Sequence, residues 1–272
     1  MGAGTLVIGA VVGLVLFFLI LPTVIVIPMS LGTSTYIEFP PRGLTLRWYL
    51  EYLRDPDWMA ATFFSLRIAL ATTVCATAIG TLAALALVRG NLPGRSVIQA
   101  LTLSPMVVPH IVIAIAIYLF FAPMRLTGTF IGFLIAHTML SVPFVVITVS
   151  AALQHFDTTL ELAALNCGAN RFQAFFSVVL PDIFPGVAAG AVFAFLASFD
   201  EATIAFFISG VEGKTITRKL FEDIDFNLTP VIAAVSTLLS GMSLLLMGAI
   251  ELSRFRRRQI GVQRVQPATD SK

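Results

Sequence analysis

Long apolar runs separated by short polar segments dominate the chain. Six stretches each hold about 20 or more mostly apolar residues: 6–29, 62–88, 97–121, 130–153, 183–208 and 230–250. A helix needs about 20 such residues to cross ~30 Å of hydrocarbon. None of the six alternates in the manner of a membrane barrel strand. A helix also satisfies its own backbone hydrogen bonds, which lipid cannot do for it. The pattern predicts an all-α polytopic membrane protein with six transmembrane helices, forming one domain over 1–272.

Composition agrees with that reading. Of 272 residues, 57% are hydrophobic and only 12% charged, and mean hydropathy is +0.93. A soluble domain carries about twice that charge. The charges here crowd into the gaps between apolar runs, because an ionised side chain in hydrocarbon costs roughly 2.5–3.5 kcal/mol or more. No Lys or Arg precedes the first run, and that run is too long for a signal-peptide core, so it reads as an uncleaved first span. The net charge of +2 is mild and excludes no membrane role. Arg254, Arg256, Arg257 and Arg258 read as a membrane-end anchor rather than a nucleic-acid patch. Cys75 and Cys167 lie in different settings and give neither a disulfide framework nor a metal signature.

Basic residues beside the spans set the expected orientation. The turn 89–96 carries Arg89 and Arg95 with no acid, and the tail 253–272 carries Arg264 and Lys272 beyond the arginine cluster. Loops 30–61 and 210–229 are balanced by acids. Both termini and the connection 154–182 are therefore expected in the cytoplasm. In 30–61, residues 44–54 suggest an amphipathic outer-surface helix with Leu46, Tyr49, Leu50 and Leu53 on one face. Trp48, Tyr49, Tyr52 and Trp58 suit the polar–apolar boundary of a bilayer. Pro22, Pro105, Pro109 and Pro143 fall inside spans, where each removes a backbone donor and can bend a helix.

The connection 154–182 carries the strongest signal. Asp157, Thr158 and Thr159 are good capping residues for a short helix over 158–165. Ala163 and Ala164 leave a flat face open to close approach. Gly168 can adopt the left-handed backbone that ends a helix and turns the chain. A second helix over 170–179 would then lead through Leu180 and Pro181 into the membrane. The result is a helix–turn–helix projecting from the bilayer; an amphipathic hairpin lying flat on the membrane is the alternative.

This segment resembles the EAA loop of bacterial binding-protein-dependent importer permeases. That pattern is E-A-A, three residues, G, nine residues, I, one residue, L-P. Ala163, Ala164, Gly168, Leu180 and Pro181 match, and Val178 replaces the Ile conservatively. Leu162 stands where the family has Glu. Glu161 lies one residue early, about 100° around a helix, so the family's acidic contact does not transfer directly. The segment Arg89–Gly90–Asn91–Leu92–Pro93–Gly94–Arg95, the stretch Ser198–Phe199–Asp200–Glu201 and the opening of the sixth span are similar to polyamine-type (spermidine/putrescine) permeases.

The resemblance implies a type I importer permease, multi-pass in the bacterial inner membrane, and not itself an enzyme. It implies a second permease subunit, two ATPase subunits that bind ATP and Mg, and a periplasmic binding protein that delivers solute. Related permeases import iron, thiosulfate, opines or amino-acid derivatives, so the solute is left open. A secondary transporter driven by an ion gradient is the competing class, but it would show inverted repeats.

Three further features bear on chemistry. Asp200 and Glu201 are expected near the middle of a span, where an acid must be paired, protonated or wet. Either could attract a cation along a translocation path, or pair structurally with Arg67. His110 and His137 are expected to bridge helices. Gly213–Lys214–Thr215 imitates the end of a phosphate-binding loop, but it follows a membrane helix rather than a strand and lacks the first glycine.

Overall fold

The computed structural model describes residues 3–210 and 213–265, the side chains of 3 and 250–265 excepted. It is helical, with no strand among the described residues. In chain order the helices are α1 (Ala3–Ser30), α2 (Arg47–Arg54), α3 (Pro56–Arg89), α4 (Arg95–Leu103), α5 (His110–Phe121), α6 (Phe130–His155) and α7 (Thr158–Asn166). They continue with α8 (Arg171–Ala174), α9 (Leu180–Phe199), α10 (Thr203–Ile208), α11 (Ile216–Phe226) and α12 (Pro230–Val265). A 3₁₀ turn (Ser104–Met106) follows α4, and a π-helical turn (Phe175–Val179) joins α8 to α9.

Among the described residues, five helical stretches are long and apolar enough to cross a membrane: Gly4–Ser30, Pro56–Arg89, Phe130–His155, Arg171–Phe199 and Pro230–Ala249. The sixth expected span, 97–121, is two helical pieces, Arg95–Met106 and His110–Phe121, which meet at 97°. Val107, Val108 and Pro109 make the corner. Pro109 has no N–H to continue a helix and biases its predecessor away from helical backbone. The fifth span also departs from 183–208. Its helix starts earlier, at Arg171, and ends at Phe199, with α10 following the break 200–202. Contacts group the chain into two compact units, one of 1–61 and 219–245, the other of 62–218 and 246–272.

In the first unit, α1 is apolar on every side and its side chains from Leu6 to Ile20 are largely exposed, which suits lipid or another chain. Its end is tied to α2 by Trp48, whose indole N–H donates to the Gly32 carbonyl at 2.7 Å. The hydroxyls of Ser30 and Tyr49 lie 2.7 Å apart. Trp48, Tyr52 and Trp58 are buried, with the Tyr52 and Trp58 rings edge to face. Leu46, Leu50 and Leu53 are exposed. The leucine face of α2 is therefore outward, as on a surface helix, and the aromatic rings of Trp48 and Tyr52 make its core contact.

In the second unit, α6 packs along α9 and α3. A Cβ at Gly186 would stand 2.6 Å from Ala152 Cβ, and one at Gly190 would stand 2.5 Å from Thr148 Oγ1. These glycines, one turn apart on α9, admit the α6 backbone at a distance no side chain allows. One apolar cluster gathers Ile68, Phe133, Leu140, Ile204 and Ile208. A second gathers Val145, Val149, Leu153, Phe156, Val179 and Ile183. His137 is buried beside Phe133 of the first cluster, and its Nδ1 lies 2.9 Å from the Ser198 hydroxyl, joining α6 to α9.

Candidate functional site

The segment 154–182 folds as a tight helix–turn–helix. Asp157 caps α7: its Oδ1 accepts the Thr159 N–H at 2.9 Å and the Thr159 hydroxyl at 2.7 Å. Those two donors, the hydroxyl first, hold the Asp157 carboxyl below its ordinary pKa. The helix ends in a paired-carbonyl stop. The Gly168 N–H donates to the Leu165 carbonyl at 3.0 Å, and the Ala169 N–H reaches back to the Ala164 carbonyl at 3.1 Å. This is the two-bond Schellman arrangement, and it needs a residue with positive φ at its centre. Gly168 supplies it at φ +92°.

The next helix starts at once. Asn170 Oδ1 accepts the Gln173 N–H at 2.8 Å, and Gln173 Oε1 accepts the Asn170 N–H at 2.9 Å. The capping box stabilises this end reciprocally. The chain then passes through the π turn, where the Leu180 N–H donates to the Phe175 carbonyl. Pro181 follows with no N–H to offer. The sequence predicts a second helix that ends at 179 and leads through Pro181 into the membrane; instead the helical stretch runs from Arg171 to Phe199, with Pro181 directly after the π turn. Val179 is fully buried and fixes this turn to the α6 cluster.

Ala163 is exposed and Ala164 half-buried. Leu162 and Phe172 are 58% and 80% exposed, giving the hairpin an apolar surface. Leu180 is half-buried and Pro181 exposed. Glu161 does not point away from the body. Its Oε2 lies 2.7 Å from Arg89 Nη1 at the end of α3. Sequence reasoning used Arg89 for orientation and for the resemblance to polyamine-type permeases; nothing in a 72-residue separation revealed the pairing.

Asp200 and Glu201 lie at the break after α9, not within a continuous span. Glu201 is 8% exposed and its two carboxylate oxygens accept the N–H groups of Ile204 and Ala205, each at 3.0 Å. It thereby caps α10. Its own carbonyl accepts the Thr217 hydroxyl at 2.8 Å. Asp200 is exposed, and its carboxylate has no hydrogen bond or ion pair among the described residues. Arg67 is not the partner of either acid; its guanidinium lies 5.7 Å from the centre of the Phe130 ring. The basic tail, Arg254, Arg256, Arg257, Arg258, Arg264 and Lys272, lies outside the described side chains.

Comparison with known proteins fits these features. Residues 76–258 match the family described as "Binding-protein-dependent transport system inner membrane component". The spermidine/putrescine transport system permease protein PotC of Escherichia coli K12 is 30% identical over 236 residues, covering 86% of this chain and 89% of PotC. The sulfate transport system permease protein CysT of the same organism is 30% identical over 265 residues, covering 86% and 95%. The fold is also that of a bacterial alginate ABC transporter crystallised with an alginate pentasaccharide-bound periplasmic protein. The TM-score there is 0.68 at 15% identity, over 94% of each chain. With its apolar helices, its helix–turn–helix and this match, the chain belongs to the family of binding-protein-dependent transport system inner membrane components, as a multi-pass permease.

Proposed function

We propose that this chain is one of two permease subunits of an ATP-driven importer, and that the α7–α8 hairpin docks a separate ATPase. The supporting observation is the hairpin itself. It is capped at both ends, turned by Gly168, and open on its small and apolar face. In this reading both termini and the hairpin are cytoplasmic, ATP and Mg are bound by two partner ATPase subunits, and a periplasmic protein delivers the solute. The relative crystallised with its periplasmic protein supports such an assembly.

The solute we favour is a polyamine or related small cation. PotC supports this by its name and by 30% identity over most of both chains. Asp200, exposed and without a partner among the described residues, supports it chemically, since a carboxylate compensates for hydration that a cation loses on entry. CysT, equally identical, favours a second reading in which the same scaffold carries an anion.

The test is to purify the tagged chain from its native host in mild detergent and identify what accompanies it. Co-purification of an ATPase and a second permease, with ATP-dependent uptake of labelled spermidine into proteoliposomes, is the expected result. Uptake that persists without ATP and follows an ion gradient would overturn it. Uptake of sulfate instead of spermidine would replace the solute while leaving the class intact.

A further inference from the structure

Helix α7 has no fully buried residue, and of its apolar residues only Ala164 and Leu165 are half-buried, so its own apolar packing is slight. Its neighbours are better anchored. After the turn, Ala174 and Val179 are fully buried. At the helix start, α7 meets the guanidinium of Arg89. Arg89 Nη1 lies 2.7 Å from Glu161 Oε2, in the first turn of α7. The same guanidinium lies 5.1 Å over the ring of Phe156, a core residue directly before the capping Asp157. Arg89 is the last residue of α3, so these two contacts tie the start of the hairpin to the end of a 34-residue helix. Meanwhile Leu162, at the position where the family pattern places its acid, points outward.

We infer that Arg89 is a positioning residue that latches α7 to the end of α3, and that Glu161 is its internal counter-ion rather than a contact to a partner subunit. This rests on the hairpin being the ATPase-docking element. Both side chains are only about a quarter exposed, 26% and 27%. A pair so placed adds little to global stability. It fixes the angle at which α7 leaves the body, and so relays movement of α3 to the docking surface. Arginine suits this task because its planar fork can bind a carboxylate at one edge while its face covers an aromatic ring.

The test compares Arg89→Gln, Glu161→Gln, the double variant and the exchanged pair Arg89→Glu with Glu161→Arg, each in the complete complex with its ATPase. ATP hydrolysis, spermidine moved per ATP, and complex yield are measured together. Each single variant should lose roughly two- to five-fold in solute moved per ATP, the scale of one partly exposed ion pair. The double should be no worse than the worse single, and the exchange should regain part of the loss, because the two residues act as one unit. If complexes accumulate poorly, yield becomes the readout and the same pattern decides. A defect in Glu161→Gln with a normal Arg89→Gln would assign Glu161 to a partner contact and overturn the latch. Losses that multiply, or normal behaviour in both single variants, would overturn it too. A wild-type complex that hydrolyses ATP yet leaves spermidine outside refutes the polyamine reading, and the latch is then decided on ATP hydrolysis alone.

Discussion

Gly168 donates its N–H to the carbonyl of Leu165 at 3.0 Å while holding φ at +92°, and this one backbone state ends α7 and aims the chain into α8. A Cβ placed on Gly168 would meet nothing within 4 Å. Substitution there is therefore a test of backbone strain without steric clash. An L-residue in the left-handed region costs ~1–2 kcal/mol. Gly168→Ala should leave membrane insertion and yield of the isolated chain unchanged and lower ATPase co-purification. Gly168→Val should be worse, because a β-branched side chain tolerates positive φ least. Normal ATPase recovery with Gly168→Val would remove the hairpin as the docking element.

Cys167, the residue just before this turn, is an exposed free thiol, while Cys75 is half-buried in α3. A Cys75→Ser chain therefore carries one natural reporter at the turn. A membrane-impermeant maleimide should label it in inside-out vesicles and not in right-side-out spheroplasts. Assembly with the ATPase should slow the labelling, since a docked surface excludes the reagent. Labelling from outside would invert the proposed topology.

Sequence periodicity revealed the helices, the hairpin and its turn, because capping residues and a glycine state local backbone geometry directly. It is silent where the same residue types serve two solvents. Leu46, Leu50 and Leu53 form an apolar stripe, but hydropathy cannot tell a protein core from lipid, and the stripe is outward while Trp48 and Tyr52 are buried. The run 97–121 reads as continuous, yet it bends by 97° near Pro109. Asp200 and Glu201 look alike in sequence. Their difference rests on which carboxylate the backbone N–H groups of α10 happen to meet, and that is a tertiary fact. The pairing of Glu161 with Arg89 was hidden for the same reason.

Asp157 makes the start of α7 sensitive to acid. Its carboxyl is held below the ordinary value by the Thr159 hydroxyl and backbone N–H, so its capping contribution is complete above about pH 4, near the unfolded carboxylate value. As pH falls through the lowered folded value, protonation weakens the acceptor and the cap is lost. Amide exchange at Thr159 and Leu160, corrected for its intrinsic pH dependence, should quicken as the medium is taken from pH 5 to pH 3. In Asp157→Asn, which keeps an acceptor that does not titrate, the corrected exchange should stay flat. Equal acceleration in both proteins would place the acid sensitivity elsewhere.

The two acids at the end of α9 should separate cleanly. Glu201 spends both carboxylate oxygens on the Ile204 and Ala205 N–H groups, so Glu201→Gln leaves one of those donors facing an amide that cannot accept. A buried donor left unmet costs ~1–3 kcal/mol, which should appear as lower complex yield and a lower melting temperature. Asp200 has no such structural partner among the described residues. Asp200→Asn should therefore leave yield and melting unchanged. If the solute is a cation, the same change should reduce spermidine uptake by about ten-fold, the loss of ~1.4 kcal/mol of charge compensation. The ATPase contacts should survive, because Arg171–Phe199 spans 29 residues and, at ~1.5 Å per residue, puts the acid roughly 40 Å along the helix from the hairpin. Adding Arg67→Gln to either variant should rescue nothing, since the Arg67 guanidinium lies over Phe130 rather than beside a carboxylate. Rescue by Arg67→Gln would show that the pair forms in the assembled complex. Normal spermidine uptake by Asp200→Asn would take Asp200 off the solute path and remove the chemical support for a cationic solute.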